Sequence, residues 1–249
     1  MKTIKFTKDM IHDGYLILVN PNHYFHENSS LLDLVQVNDN SMIYLNSQTN
    51  EALNQLMKEI DGWSKIQTVS GYRSKSDQTQ LYNQSLIENG QTFTESFVAL
   101  PGCSEHQTGL AIDLALKSND VDFICPDFPY EGICQAFREM APHYGFIERY
   151  GKNKEKITSI SHEPWHFRYV GLPHSLLICE KNFCLEEYCE WIKQFKQNEN
   201  PLHVIYNDKE YEVGTINSTS NTIELEVEEH MKWSLSGDNV EGFIYAKWK

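Results

Sequence analysis

Residues 110–116 alternate between large apolar and mostly small residues, in the order Leu-Ala-Ile-Asp-Leu-Ala-Leu. Successive side chains of a β-strand point to opposite faces, so this pattern predicts a strand. The large residues share one face, and Asp113 shares the other with Ala111 and Ala115. A buried carboxylate needs a partner, because removing a lone charge from water is costly. The small neighbours leave room around Asp113 for a ligand, and a metal ion would satisfy its charge.

Apolar residues at helical or strand spacing predict further elements on both sides of this strand. Helices are predicted over residues 49–61, from Ser74 through Leu86, over 131–144 and over 185–195; strands are predicted over 66–72 and 165–170. Ser74 and Asp77 fit a capping box, which marks the start of the second helix. Helices and strands interleave without a regular β-α-β period, so the sequence predicts an α+β fold.

The stretch Gln-Asn-Glu-Asn-Pro at residues 197–201 is the best linker candidate in the chain. Beyond it the pattern changes to short strands, which are predicted at residues 204–206, 211–213, 223–227 and 243–246. The sequence therefore predicts one domain over residues 1–200 and a small β-rich appendage over residues 201–249.

Composition excludes several classes of protein. The 249 residues include 21 Lys and Arg against 35 Asp and Glu, a net charge of −14, which argues against a nucleic-acid partner. No segment reaches the ~20 consecutive apolar residues of a membrane span. The early apolar run at residues 15–19 is shorter than the ~7–15-residue core of a signal peptide. We therefore expect a cytoplasmic protein without a membrane span; the sequence leaves its oligomeric state open.

Residues 162–169, His-Glu-Pro-Trp-His-Phe-Arg-Tyr, contain a literal H-E-x-x-H match. That zinc-protease pattern needs one helix to hold both histidines. Pro164 would lie inside the helix, where proline costs ~3 kcal/mol, and the flanking residues favour strands. We therefore predict that His166 lies on a strand as a metal ligand, with Glu163 nearby as a base.

A second candidate ligand, His106, precedes a Gln-Thr-Gly turn that could fold it back toward Asp113. With His166 these residues make a set of two histidines and one aspartate. Catalytic zinc needs three protein ligands and one open position for water. A nearby carboxylate that is not a ligand can take the proton from that water, and Glu163 fits this role.

Three ordered segments together resemble a known family. They are Ser-Gly-Tyr-Arg-Ser at residues 70–74 with Gln78 following, Ser-Glu-His-Gln-Thr-Gly-Leu-Ala-Ile-Asp at 104–113, and Glu-Pro-Trp-His-Phe-Arg-Tyr at 163–169. The chain resembles bacterial D-alanyl-D-alanine carboxypeptidases and dipeptidases of the VanY and VanXY type, which belong with the lysostaphin-like enzymes and hedgehog domains. The resemblance implies a single zinc-peptidase domain, with a central antiparallel sheet flanked by helices.

The resemblance also implies roles for individual residues. The implied Zn²⁺ ligands are His106, Asp113 and His166. Glu163 is implied as the general base that activates the zinc water and later protonates the leaving amine. Arg73 is implied to stabilise the oxyanion, while Gln78 and Ser104 resemble residues that bind the peptide or the terminal carboxylate of the substrate.

The absence of an N-terminal anchor favours the soluble VanXY type. The implied function is removal of terminal D-Ala from the D-Ala-D-Ala dipeptide and from peptidoglycan precursor pentapeptides, in vancomycin resistance. One alternative is a cell-wall endopeptidase or L,D-carboxypeptidase of the same fold, as in phage lysis enzymes. Another is a non-catalytic, zinc-stabilised binding module, in which His162 would be the fourth ligand. The sequence does not set the preference between dipeptide and pentapeptide, nor whether D-Ser termini are spared.

Overall fold

The computed structural model of the protein describes residues 2–27, 30–37, 42–217 and 221–249. Its strands are, in chain order, β1 (Lys2–Thr7), β2 (Leu34–Gln36), β3 (Tyr44–Asn46), β4 (Ile66–Ser70), β5 (Ala111–Leu116), β6 (Phe146–Tyr150), β7 (Glu163–Tyr169), β8 (Leu202–Tyr206), β9 (Lys209–Ile216), β10 (Thr222–Val227), β11 (Lys232–Gly237) and β12 (Phe243–Trp248). Its α-helices are α1 (Ser47–Glu59), α2 (Lys75–Asn89), α3 (Gln91–Phe97), α4 (Gly132–Met140), α5 (Glu155–Thr158), α6 (His174–Glu180) and α7 (Leu185–Ile192). Short 3₁₀ turns add to these at Lys8–His12, Ser30–Leu32, Gly62–Ser64, Glu105–Thr108 and Ala141–Tyr144.

The described chain divides into two compact units. One is Val19–Cys184, and the other joins Met1–Leu18 to Leu185–Lys249. The sequence placed a boundary at residues 200 and 201 instead. Whether residues 201–249 form a domain of their own stays a prediction.

The unit Val19–Cys184 is built on an antiparallel sheet with the strand order β4-β5-β7-β6. β5 lies in its interior, and every residue of this strand except Leu116 is buried. Both faces of the strand are therefore covered, which fits large apolar side chains on one face and a close-packed polar site on the other. The predicted α+β class with an antiparallel sheet is confirmed.

The H-E-x-x-H segment is extended, as predicted. β7 begins at Glu163, two residues before the predicted start, and runs to Tyr169. Pro164 lies at its second position, near the end of the strand, where a missing N–H is tolerated. The helical zinc-protease pattern therefore does not apply to this chain.

The helices begin where side chains satisfy their free N–H groups. Asn46 accepts from the backbone of Gln48 and Thr49 at the start of α1. Ser74 caps α2 and accepts from the Asp77 backbone at 3.1 Å, so the predicted N-cap is confirmed. The Asp77 carboxylate accepts from the Ser74 hydroxyl at 2.7 Å.

Three helices end earlier than predicted, including α1, which stops at Glu59, and three helices were not predicted, which are α3, α5 and α6. The helix expected over 131–144 stops at Met140 and continues as a 3₁₀ turn, because Pro142 cannot donate to an α-helical ladder. α7 ends at Ile192, short of the predicted residue 195. Gly90, at φ +81°, separates α3 from α2. No helix in the described ranges is both long enough and apolar enough to cross a membrane.

The second unit is rich in strands. It contains a four-stranded sheet in the order β11-β12-β9-β8 and an antiparallel pair of β1 with β10. A buried cluster packs inside it, formed by Phe6, Ile216, Ile223, Leu225, Val227, Phe243 and Tyr245. The four predicted strands beyond the linker all fall within β8, β9, β10 and β12. β11 was missed, since its sequence Lys-Trp-Ser-Leu-Ser-Gly carries no β-branched residue.

Candidate metal centre and active site

The three predicted metal ligands lie together in the structure. Asp113 in β5 and His166 in β7 are direct cross-strand partners. His106 belongs to the 3₁₀ turn Glu105–Thr108, which ends at Gly109 in a left-handed conformation just before β5. One ligand atom from each residue lies within 4.8 Å of the other two, and all three residues are buried.

His106 is held by the backbone at the end of β4. Its Nδ1 lies 2.7 Å from the carbonyl oxygen of Gly71, and its Nε2 lies 3.1 Å from Oδ2 of Asp113. A carbonyl oxygen only accepts hydrogen bonds, so Nδ1 carries the proton and the lone pair of Nε2 points toward the other two residues. This tautomer suits a metal ligand.

The lack of a side chain at Gly71 allows its carbonyl oxygen to lie close to His106. A Cβ added there would lie 2.5 Å from the Tyr44 carbonyl oxygen and 2.6 Å from the Ile43 side chain. The chain therefore needs glycine at this position to bring the carbonyl under His106.

His166 faces Asp113 through its other ring nitrogen. Its Nδ1 lies 2.9 Å from Oδ1 of Asp113, while its Nε2 lies 3.6 Å from Oε2 of Glu105. Among the described residues, Oδ1 of Asp113 and Nε2 of His166 make no hydrogen bond, although both are buried. Buried polar atoms without partners are costly, and a cation between the imidazoles and the carboxylate would satisfy the carboxylate. The donor set of two imidazoles and one carboxylate suits zinc.

The charges of these groups depend on one another. Burial would raise the pKa of Asp113, but the neighbouring His106 and His166 hold it well below its usual range. Burial lowers the pKa of His106. Burial also opposes charge on His166, yet Asp113 and Glu105 raise the pKa of that imidazole to about 9. The Asp113 carboxylate is therefore ionised between the two imidazoles, and its charge would attract a cation bound there.

Glu163 lies beside the group without joining it. Its Oε2 is 3.7 Å from Nδ1 of His166. Burial, with a further contribution from Asp113, raises the pKa of Glu163 to about 8, although His166 and Arg73 act against this. A carboxylate with a pKa raised toward neutrality is suited to take up and return a proton near neutral pH.

An irregularity in the sheet brings Glu163 to the same side as His166. Residues three apart in a regular strand face opposite sides. The pairing of β6 with β7 changes register between Glu148 and Tyr150: Glu148 pairs with Phe167, but Tyr150 pairs with Glu163. Such bulges re-aim side chains and occur next to active sites. This explains how a strand, and not a helix, presents both residues to one cavity.

Arg73 reaches the same cavity from the turn after β4. Its Nη2 donates to Oγ of Ser70 at 2.6 Å and its Nη1 donates to Oε1 of Gln78 at 2.9 Å. Gln78 in turn donates to the carbonyl oxygen of Ala99 at 2.7 Å. Burial lowers the pKa of Arg73, while Asp113 and Glu163 oppose this shift. The guanidinium is therefore fixed in place by neutral partners, and no carboxylate of the described residues forms a direct ion pair with it.

The cavity at the centre of these residues has a volume of about 40 Å³. Its lining includes all seven predicted site residues, which are Arg73, Gln78, Ser104, His106, Asp113, Glu163 and His166. The structure thus brings together all seven residues that the sequence predicted for the active site. Their individual roles stay predictions.

His162 lies elsewhere. Its Nε2 is 2.6 Å from the hydroxyl of Tyr130 and 3.6 Å from Oε1 of Glu148. It is absent from the metal-ligating group found among the described residues. The alternative in which His162 closes the zinc site therefore has no support in this geometry.

A buried carboxylate next to the site was not predicted from the sequence. Glu105 is paired with two buried arginines: its Oε1 accepts from Nε of Arg149 at 2.9 Å and from Nη1 of Arg168 at 2.6 Å. Burial opposes charge on Glu105, but the two arginines hold its pKa well below its usual range. The signal was present in the sequence, since Arg149 and Arg168 interrupt apolar strands and buried charges require partners.

Comparisons with known proteins place the chain in a family. The family model described as VanY, D-alanyl-D-alanine carboxypeptidase, matches residues 42–172. The bifunctional D-Ala-D-Ala dipeptidase and D-Ala-D-Ala carboxypeptidase VanXYC of Enterococcus gallinarum is 44% identical over 72% of this chain and 95% of its own length.

Solved structures match as well. The vancomycin resistance D,D-dipeptidase VanXYg, solved with a D-Ala-D-Ala phosphinate analogue, is 42% identical with a TM-score of 0.94, over 100% of this chain and 99% of its own. A mutant of the vancomycin resistance D,D-pentapeptidase VanY from a VanB-type cassette, solved with Zn(II), is 27% identical with a TM-score of 0.58, over 70% and 98% of the two chains. Because the family model matches just over half of the chain and the Enterococcus gallinarum relative matches over nearly all of its length, the chain belongs to the VanY family of D-alanyl-D-alanine carboxypeptidases.

Proposed function

We propose that this chain is a zinc-dependent D,D-peptidase that removes the terminal D-Ala from the D-Ala-D-Ala dipeptide and from peptidoglycan precursor pentapeptides. The observation that carries the proposal is the buried group of His106, Asp113 and His166, with ligand atoms within 4.8 Å of one another, next to a carboxylate that is not a ligand. A binding module would need neither that carboxylate nor the fixed guanidinium of Arg73.

His106, Asp113 and His166 would hold Zn²⁺, through Nε2 of His106, a carboxylate oxygen of Asp113 and Nδ1 of His166. When bound, zinc lowers the pKa of a water molecule and polarises the scissile carbonyl. The protein contributes three buried ligands and leaves space beside them, since the cavity of about 40 Å³ adjoins the group.

Glu163 would act as the general base and then as the general acid. It takes the proton of the attacking water and delivers it to the amine of the departing D-Ala.

Arg73 would stabilise the negative charge that develops on the carbonyl oxygen of the scissile bond. Its hydrogen bonds to Ser70 and Gln78 fix the guanidinium before substrate arrives. Preorganised donors of this kind lower the barrier because they need no reorientation during the reaction. Gln78 thereby supports Arg73, and Ser104, which lines the same cavity, would contact the substrate's peptide or carboxylate.

The proposed substrate class follows a solved structure that matches along the whole chain, that of a vancomycin-resistance D,D-dipeptidase. We propose the same biological role for this chain. We also propose that it works in the cytoplasm, where free D-Ala-D-Ala and nucleotide-linked precursors occur.

The test is release of D-Ala by the purified protein. The substrates are free D-Ala-D-Ala, the UDP-linked muramyl pentapeptide, and the corresponding tetrapeptide, which ends in an L,D bond. Each is incubated with and without a zinc chelator, and the Glu163→Gln variant serves as the inactive reference.

Chelator-sensitive release from the dipeptide and the pentapeptide is the expected result. Release from the pentapeptide alone would restrict the proposal to a carboxypeptidase. Release from the tetrapeptide alone would replace it with an L,D-carboxypeptidase, and no release from any of the three would contradict it.

A further inference from the structure

The carboxylate of Glu105 faces the metal group from behind His166. Its Oε2 lies 3.6 Å from Nε2 of His166, on the side of the ring opposite Asp113. Both atoms are buried and make no hydrogen bond among the described residues. Two unpartnered polar atoms of opposite character therefore face each other in the interior.

Glu105 cannot easily move away from this position. Its side chain is fully buried, as are those of Arg149 and Arg168. Both arginines donate to the same oxygen, Oε1, so the second oxygen stays directed at His166. The carboxylate is ionised between two guanidinium groups and accepts hydrogen bonds without donating any.

We propose that Glu105 is a positioning residue that fixes the tautomer of His166, so that Nε2 carries the proton and Nδ1 presents its lone pair to a metal. This inference rests on the proposed zinc site. His106 is fixed in the opposite sense by the Gly71 carbonyl, so each imidazole has its own acceptor and the two present different ring nitrogens. Metal-binding histidines commonly donate their second N–H to a carboxylate or carbonyl, which orients the ring and raises its basicity.

The proposed role differs from a simple balance of charge. If Glu105 served only to neutralise Arg149 and Arg168, its loss would lower the stability of the fold. It would not change which ring nitrogen of His166 carries the proton. If it fixes the tautomer, a glutamine there changes the metal site as well. The amide group of glutamine can donate to Nε2 and favour the proton on Nδ1, where the metal must bind.

The chain offers a matched control in Glu148. This residue also pairs with an arginine, Arg138 at 2.9 Å, and also lies 3.6 Å from Nε2 of a histidine. That histidine is His162, which is outside the metal group. Glu148→Gln therefore alters the same type of contact without touching the proposed site.

The experiment compares zinc affinity, measured by competition with a chromophoric chelator, in the unaltered protein, Glu105→Gln and Glu148→Gln. Circular dichroism confirms that each variant is folded at the temperature used. We expect Glu105→Gln to lose about 10- to 100-fold in affinity, as for other partners of metal ligands, and Glu148→Gln to match the unaltered protein. Equal affinity in all three would overturn the inference and leave the proposed function intact. No zinc binding by the unaltered protein would instead remove the proposed function.

A second measurement needs no variant, because Glu105→Gln leaves two buried arginines without their carboxylate and can fail to fold. Imidazole ¹⁵N spectra of the unaltered, cadmium-loaded protein report which nitrogen of each histidine binds metal. We expect His166 to bind through Nδ1, with a slowly exchanging proton on Nε2, and His106 to bind through Nε2. Binding of His166 through Nε2 would contradict the proposal.

Discussion

Asp113 and His166 are cross-strand partners in the sheet, and Nδ1 of the histidine lies 2.9 Å from Oδ1 of the aspartate. Their distance is therefore set by the pairing of β5 with β7. A shift of the register by one residue would turn either side chain to the opposite face of the sheet. The pairing of the two strands alone brings these two groups together, and loop movement is not needed to assemble them.

Replacement of His106 tests the ligand set. We expect His106→Ala to lose both bound zinc and D-Ala release, because a site with three ligands cannot hold its metal well with two. Zinc content by mass spectrometry after gel filtration checks this, with His162→Ala as the matched control that keeps its metal. Full zinc occupancy in His106→Ala would refute the assignment.

Replacement of Glu163 tests whether this residue acts as a base without being a metal ligand. We expect Glu163→Gln to keep its zinc while kcat falls by about 10²- to 10⁴-fold, the usual contribution of a positioned base. Steady-state release of D-Ala, with zinc content measured on the same sample, checks both points. Unchanged turnover would remove Glu163 from the mechanism.

Replacement of Arg73 distinguishes stabilisation of charge from binding of substrate. We expect Arg73→Ala to fold and bind zinc, with kcat lowered by about 10²- to 10³-fold, as for loss of an oxyanion donor. The measurement is kcat and KM for the dipeptide. An effect confined to KM would recast Arg73 as an anchor for the substrate carboxylate.

The stability of the protein without zinc depends on pH through Glu163. Its pKa rises from the ordinary 4.5 to about 8 on folding. A carboxyl group with a raised pKa contributes its full stability below the unfolded value and loses it as pH rises through the folded value. We therefore expect the free energy of unfolding of the chelator-treated protein to fall by a few kcal/mol between pH 5 and 9. The same fall should be absent from chelator-treated Glu163→Gln, which has no carboxyl group to titrate at this position. Thermal unfolding of both at several pH values checks this; a constant difference in Tm would contradict it.

The backbone carbonyl of Gly71 accepts the hydrogen bond that orients His106 in the proposed metal group. We expect Gly71→Ala to destabilise the fold by about 1–3 kcal/mol, because the new Cβ would lie 2.5 Å from the Tyr44 carbonyl. Any relaxation moves the carbonyl that accepts from His106, so zinc affinity should fall too. Gly151→Ala is the control, since a Cβ there meets nothing within 4 Å. Urea unfolding and chelator competition measure the two effects, and a neutral Gly71→Ala would show that the close packing is not required.

Much of the site could be predicted from local patterns. The period-two alternation placed Asp113 on a face with small neighbours, and Pro164 excluded a helix for the H-E-x-x-H segment; both features depend only on adjacent residues. Helix ends were less predictable: Pro142 converts the end of the helix expected over 131–144 into a 3₁₀ turn.

The sequence by itself determined the class of fold, the residue types of the site and the strand that carries His166, because backbone geometry and side-chain alternation act over a few residues. Only the tertiary structure decided which ring nitrogens of His106 and His166 face Asp113, that a bulge turns Glu163 to the same side, and that Glu105 lies behind His166 between two buried arginines. These relationships join strands and turns far apart in the chain. They depend on register and on the partners that buried charges find when the sheet closes, and neither is encoded in local spacing.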